Sequence, residues 1–204
     1  TLTPSPAATA TPTALAPALT PTPASPPLPL SVLVEPSSLT IGAGSVKQFT
    51  VEVLDASGNP VTNPSVAWQS APGAGTIDKN GGFTAGTNAG SFLSGITVNI
   101  LIGTARASAT VDIVIEPGVL VSVELGPLIP VVQKGESLQL NAVGLDRFKN
   151  PIQALPFVWG AEGIAIDQSG KVTAANRSGR YEVTVSANYK GGRQTATITV
   201  GVAP

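Results

Sequence analysis

Four aspartates are the first residues to weigh for chemistry. Asp55 and Asp146 each close an apolar run and head matching loops, Asp55-Ala-Ser-Gly58-Asn59-Pro60 and Asp146-Arg-Phe-Lys-Asn150-Pro151, while Asp78 and Asp167 each open a Gly-containing turn. Two carboxylates that flank one glycosidic bond can hydrolyse it. Here the members of each pair hold equivalent places in two copies of one pattern, so they are not expected to converge, and turn-forming Asp accounts for them. Calcium is the next chemistry to test. Carboxylate and carbonyl oxygens at the Asp55 or Asp146 loop are the only metal candidates, but one Asp per loop falls short of the 6 to 8 oxygens calcium takes. The chain has no Cys, Met or His, which closes the thiolate, Ser-His and metal-His routes and leaves no disulfide. No catalytic residue and no cofactor is expected.

Two covalent modifications fit the remaining side chains. Lys47 shares strand parity with Phe49 and Val51, and a core-facing Lys beside Asn and a buried carboxylate can close an isopeptide bond. The simpler expectation is a Lys at the strand mouth with its stem on the core and its head in water. Asn176-Arg-Ser178 is an N-glycosylation sequon in a turn. Residues 1–30 hold nine Pro, seven Thr, seven Ala, five Leu and two Ser, with no charge before Glu35. Such density of Pro blocks helix and ladder and favours an extended stalk. Thr3, Ser5, Thr11, Thr13, Thr20, Thr22 and Ser25 beside these prolines have the composition of O-glycosylated stalks. A bare flexible linker has the same composition.

The elements that position these residues repeat. The Asp-to-Asp offset (146−55) and the Trp-to-Trp offset (159−68) are both 91 residues. Each phrase therefore reads as strand, loop, strand, with the Trp in the next apolar run. Alternation places Phe49, Val51 and Val53 on one face of a strand from Val46 to Leu54. Lys79-Asn80-Gly81-Gly82 and Asp167-Gln-Ser-Gly170 are hairpin signals. Helical periodicity is absent, and the predicted class is all-β. Residues 31–116 and 119–204 each supply about seven short strands, so the expected architecture is two tandem sandwiches after a 1–30 stalk, joined by the short Glu116-Pro117-Gly118 linker. The predicted cores include Phe49, Val51 and Trp68 in the first half and Leu140, Trp159 and Tyr181 in the second.

Composition narrows the partners. With 11 Lys+Arg against 12 Asp+Glu the net charge is −1, and nothing builds the basic stripe that nucleic acid requires. Charged residues are 11% of the chain, less than half of the usual ~25%. No uninterrupted apolar run is long enough to span a membrane.

The repeated Asp-x-x-x-Asn-Pro phrase, Trp68 and Trp159, Gly44 and Gly135 before the second strand, and Gly82-Phe-Thr-Ala85 with Gly170-Lys-Val-Thr-Ala174 together resemble the bacterial immunoglobulin-like domains of invasins, intimins and surface-layer proteins. The resemblance covers residues 31–204 and implies an immunoglobulin-like sandwich in each half. The Cys pair of antibody domains is missing. Gly179-Arg-Tyr181 matches a tyrosine corner, whereas Gly90-Ser-Phe92 in the first half lacks the hydroxyl. The function expected is a secreted, non-catalytic structural protein that assembles with copies of itself into a filament, sheath or surface layer, its signal peptide removed ahead of Thr1. The alternatives are a spacer or adhesin fragment of a larger surface protein, and a glycan-binding accessory module.

Overall fold

The computed structural model describes residues 30–174 and 176–204, and every regular element in them is a β-strand. The first half forms β1 (Ser31–Glu35), β2 (Ser38–Gly42), β3 (Val46–Gln48), β4 (Thr50–Leu54), β5 (Ser65–Ser70), β6 (Gly75–Ile77), β7 (Gly82–Ala85), β8 (Gly90–Ile102) and β9 (Ala105–Glu116). The second repeats them with β10 (Ser122–Gly126), β11 (Val131–Gln133), β12 (Ser137–Gln139), β13 (Asn141–Leu145), β14 (Phe157–Ala161), β15 (Ala165–Ile166), β16 (Lys171–Thr173), β17 (Gly179–Tyr189) and β18 (Gly192–Ala203). Strands pair only within their own half. The chain is two tandem immunoglobulin-like sandwiches.

In the first sandwich β2-β9-β8-β5 form one layer, and β1-β4 with β3-β7-β6 form the other; the second follows the same scheme. The opening strand of each half divides between layers. On one side of the cis bonds Glu35-Pro36 and Gly126-Pro127, β1 and β10 pair antiparallel with β4 and β13; on the other, β2 and β11 run parallel to β9 and β18. Proline cannot donate to a ladder, so the chain changes partners there without orphaning an N–H.

The single strand expected from Val46 to Leu54 is two strands. Phe49 breaks it: its N–H donates to Gly81 O, and β3 then pairs β7 while β4 pairs β1. Lys47 pairs in register with the buried Phe83 and so shares its face, but β3 is an edge strand and the lysine lies exposed at its mouth. Gln48 and Gln139 fasten the equivalent corners. Their Nε2 groups donate to Phe49 O and Asn80 O in one repeat, and to Leu140 O and Ser169 O in the other.

The two cores are filled differently. In the first, Phe49 and Phe83 are fully buried at a ring separation of 6.0 Å, near perpendicular, and Trp68 packs 6.2 Å from Phe49. Two rings already occupy the centre, so Trp68 and Val51 are only half-buried against it, a correction to their expected central place. In the second, Leu140 and Val172 are the smaller residues at these places and Trp159 is buried. Gly170 (φ +85°) lies against the indole, where a Cβ would come 2.9 Å from Trp159 Cζ2. Tyr181 is half-buried at the core edge and its hydroxyl donates to Arg177 O at 2.9 Å. Phe92 stands at the corresponding place in β8. From Phe92 to Ile96 that strand advances four residues while β9 moves from Ile113 to Val111, a bulge that β17 lacks.

Candidate functional site: the junction between the sandwiches

The Asp55 and Asp146 loops begin as the same local object. Asp146 Oδ1 accepts from the N–H groups of Phe148 (2.8 Å) and Asn150 (2.9 Å), and Asp55 Oδ1 accepts from those of Ser57 (2.8 Å) and Asn59 (2.9 Å). Each is the local side-chain-to-backbone bonding by which Asp shapes a turn. The second oxygen separates them. Asp146 Oδ2 accepts from Gly118 N in the linker and from Asn150 Nδ2, both at 2.8 Å, whereas Asp55 Oδ2 has only Asn59 Nδ2 at 3.4 Å.

Asn150 carries the loop onto the first sandwich. Its Nδ2 donates to Thr87 O at 2.7 Å as well as to Asp146, and its Oδ1 accepts from Ala89 N at 2.9 Å. The Asn150 amide orientation follows from these partners. Asp146 has no exposed surface and Asn150 is 7% exposed; they are the buried polar residues among those described. A buried amide with every group paired stabilises modestly, but an unpaired partner costs about 1–3 kcal/mol. The loop therefore specifies one docking geometry.

Apolar contacts surround this polar centre. Phe148 leaves its own sandwich and packs against the core of the first. The Arg147 guanidinium lies 4.4 Å from its ring centroid, within cation–π range. Gly44 (φ +71°) faces them, and a Cβ there would come 2.8 Å from both Phe148 Cζ and an Arg147 nitrogen. On the linker side Leu120 is buried with Ile152, Leu155 and Ala187. Lys190 Nζ reaches Glu116 Oε2 at 2.9 Å and Pro117 O at 3.1 Å. The hydrogen bond to Glu116 raises the Lys190 pKa, but both side chains are more than a third exposed, so the pair adds little.

Burial by itself pushes the Asp146 carboxyl up, and the Asn150 side chain with the N–H groups of Gly118, Asn150 and Phe148 outweighs it, leaving the pKa below the ordinary 3.8. Asp55 is also lowered, chiefly by Asn59 N–H, and Asp167 by the Ser169 hydroxyl and Lys171 N–H. The metal candidates read differently in this light. The Asp146 lone pairs point at donors rather than at a gap for a cation, and among the described residues no three His, Cys, Asp or Glu side chains gather.

Sequence reasoning had not found Gly118, Phe148 and Asn150 as docking residues. A signal was available in the repeat itself. The residue 91 before Gly118 is Pro27, with no N–H to donate, and the one 91 before Phe148 is Ser57. Of the glycosylation candidates, Asn176 is exposed in a bend beside β17; Thr3, Ser5, Thr11, Thr13, Thr20, Thr22 and Ser25 lie outside the described residues.

No family model and no curated protein matches the chain. Solved structures similar to it include human protocadherin-24 EC1-2, at 12% identity and TM-score 0.49 over 85% of this chain and 97% of that one. Another is the S-layer protein SbsC domains 4 and 5, at 12% identity and TM-score 0.39, covering 88% and 100%. A third is Yersinia pseudotuberculosis InvD, at 18% identity and TM-score 0.46, where the match covers 86% of this chain and 57% of InvD.

Proposed function

We propose that this chain is an extracellular, non-catalytic structural protein whose copies assemble into a filament, sheath or surface layer at the cell surface. The observation that carries this reading is the junction: the one buried carboxylate and its buried amide hold two sandwiches in fixed relation rather than lining a cleft. Fixed relative placement is what a building block needs and what a free spacer does not. The sandwiches are domains of 31–116 and 119–204 on this reading, and residues 1–30 are a strap.

The strap is the part that joins neighbours. Nine prolines restrict it before it binds, so ordering it costs less entropy than ordering a common coil. Leu2, Leu15, Leu19, Leu28 and Leu30 supply apolar contact, and sugars on its Thr and Ser residues supply the hydration that charge does not. A chain starting at Ser31 is expected to fold and stay soluble while failing to polymerise, and the full chain from its native source to exceed 20.4 kDa in mass. Electron microscopy of the two side by side is the test. Polymers forming equally well from the shortened chain would remove the strap from the reading.

A further inference from the structure

The junction covers one end of the first sandwich, and the same end of the second stands uncovered. On the first, that end is the turn at Gly44, where Ser45 N–H donates to Gly42 O and Ser45 O accepts from Ala85 N–H, together with Thr87 O and Ala89 N–H, which bond Asn150. The second sandwich builds the same turn at Gly135: Glu136 N–H donates to Gln133 O at 3.1 Å, and Ala174 N–H donates to Glu136 O at 2.9 Å. Phe83 and Val172 hold equivalent ladder places, so Asn176 and Ser178 stand where Thr87 and Ala89 do. Among the described residues nothing bonds Asn176 O or Ser178 N–H, and a Cβ at Gly135 would point into open space.

The far end of the first sandwich carries the other half of the joint. The Asp55 loop has the turn of the Asp146 loop, but Asn59 Nδ2 reaches only Asp55 Oδ2, at 3.4 Å, and its Oδ1 accepts no bond. Ser31 pairs with Leu54 beside this loop as Ser122 pairs with Leu145 beside the other. The strap thus joins the first sandwich where the linker joins the second.

The two unused halves differ from the used ones in ways that offset each other. In the junction the loop is bulky, with Arg147 and Phe148, and the end it meets is small, with Ala43 and Ser45 flanking Gly44 and lining the gap beside Arg147. At the free places the order reverses. The loop has Ala56 and Ser57, and the end has Lys134 and Glu136 flanking Gly135. Charge follows size: Gly118 N–H, which satisfies Asp146 Oδ2, has Pro27 as its counterpart, with no proton to donate, and the Lys134 ammonium supplies the donor that the proline lacks.

We infer that the Asp55 loop of one copy docks on the Gly135 end of a second copy, repeating the internal junction between chains. Asn59 Nδ2 donates to Asn176 O and its Oδ1 accepts from Ser178 N–H, while Lys134 pairs with Asp55. This rests on the self-association proposed above and names the surfaces that carry it. A loop on one sandwich that fits an end of the other is a heterologous contact, and repeated without closing into a ring it builds an open chain. Without a ring in the place of Phe148, and with an ion pair in the place of an amide, the contact is weaker than the internal joint and weakens further with salt.

The absence of cysteine lets single thiols report the contact. Full-length Ser57→Cys and Arg177→Cys, both at exposed positions, are treated with a short bismaleimide, each alone and then mixed, under assembly conditions. Electrophoresis should show a crosslinked dimer in the mixture well in excess of that from either variant alone. Equal dimer in all three, or none, would overturn the contact. Light scattering of the full chain, of Asn59→Ala and of Lys134→Glu gives an independent reading, with melting curves of the unassembled chains to show that each folds. Each variant should raise the concentration needed for assembly roughly tenfold or more, through unpaired backbone groups in the first and a like charge set against Asp55 in the second. Loss in Lys134→Glu alone would assign the Gly135 end to another occupant, such as residues 1–29 of a neighbour, and loss in Asn59→Ala alone would assign the loop another seat; either refutes the pairing. Unchanged assembly in both would refute the contact and leave self-association standing. A full chain that stays monomeric at every concentration would refute self-association itself.

Discussion

Replacing Asn150 with alanine tests whether the junction is a specified joint. The substitution removes the bonds from Nδ2 to Thr87 O and Asp146 Oδ2 and leaves Ala89 N without its acceptor. Leaving buried groups unpaired costs about 1–3 kcal/mol each, and water entering the gap recovers part of it, so a loss of about 3 kcal/mol is expected. For a sandwich of this size that lowers a melting transition by roughly 10–20 °C. The repeat supplies its own control. Asn59 closes the equivalent turn, but its side chain bonds only Asp55, at 3.4 Å in an exposed loop, so Asn59→Ala should cost under about 1 kcal/mol. Calorimetry of both variants should show the transition of the second sandwich falling away from the first in Asn150→Ala alone. Equal small losses in the two would refute the claim that this amide couples the sandwiches.

Acid should loosen the joint. The folded pKa of Asp146 lies below its ordinary 3.8, so its contribution is complete above that value and is lost as pH falls through the folded pKa; Asp146→Asn should lose the extra acid sensitivity that wild type shows below about pH 4 in a melting series. Gly44→Ala should weaken the joint by more than Gly135→Ala: both residues have positive φ, costing about 1–2 kcal/mol, but the new Cβ meets Phe148 at Gly44, whereas at Gly135 it points into open space. Chemical denaturation of the pair reads the difference. Trp159→Ala should destabilise the second sandwich by about 3–5 kcal/mol, and Trp68→Ala the first by less, because Phe49 and Phe83 keep that core filled; two-transition calorimetry decides the order.

The sequence by itself determined what depends on neighbours along the chain. Alternation in Phe49, Val51 and Val53 and in the final strands called for β structure, and the 91-residue offset called for two copies of it. Turn chemistry placed the hairpin at Asn80-Gly81, where Gly81 has φ +83°, and its counterpart at Gly170. These are short-range matters of sterics and of hydrogen bonding within a few residues, so they survive without knowledge of the fold. Only the tertiary structure decided the rest. Alternation could not reveal that the strand changes sheets at Phe49, which needs Gly81 O to receive its N–H and leaves β3 at a sheet edge with Lys47 in water. The Asp55 and Asp146 loops share one local chemistry, and no pattern of spacing tells which will be buried. That difference arises because Gly118, Thr87 and Ala89, distant along the chain, come to lie against the Asp146 loop once both sandwiches have formed, with Phe148 held against its neighbour's core by the partial burial of its ring.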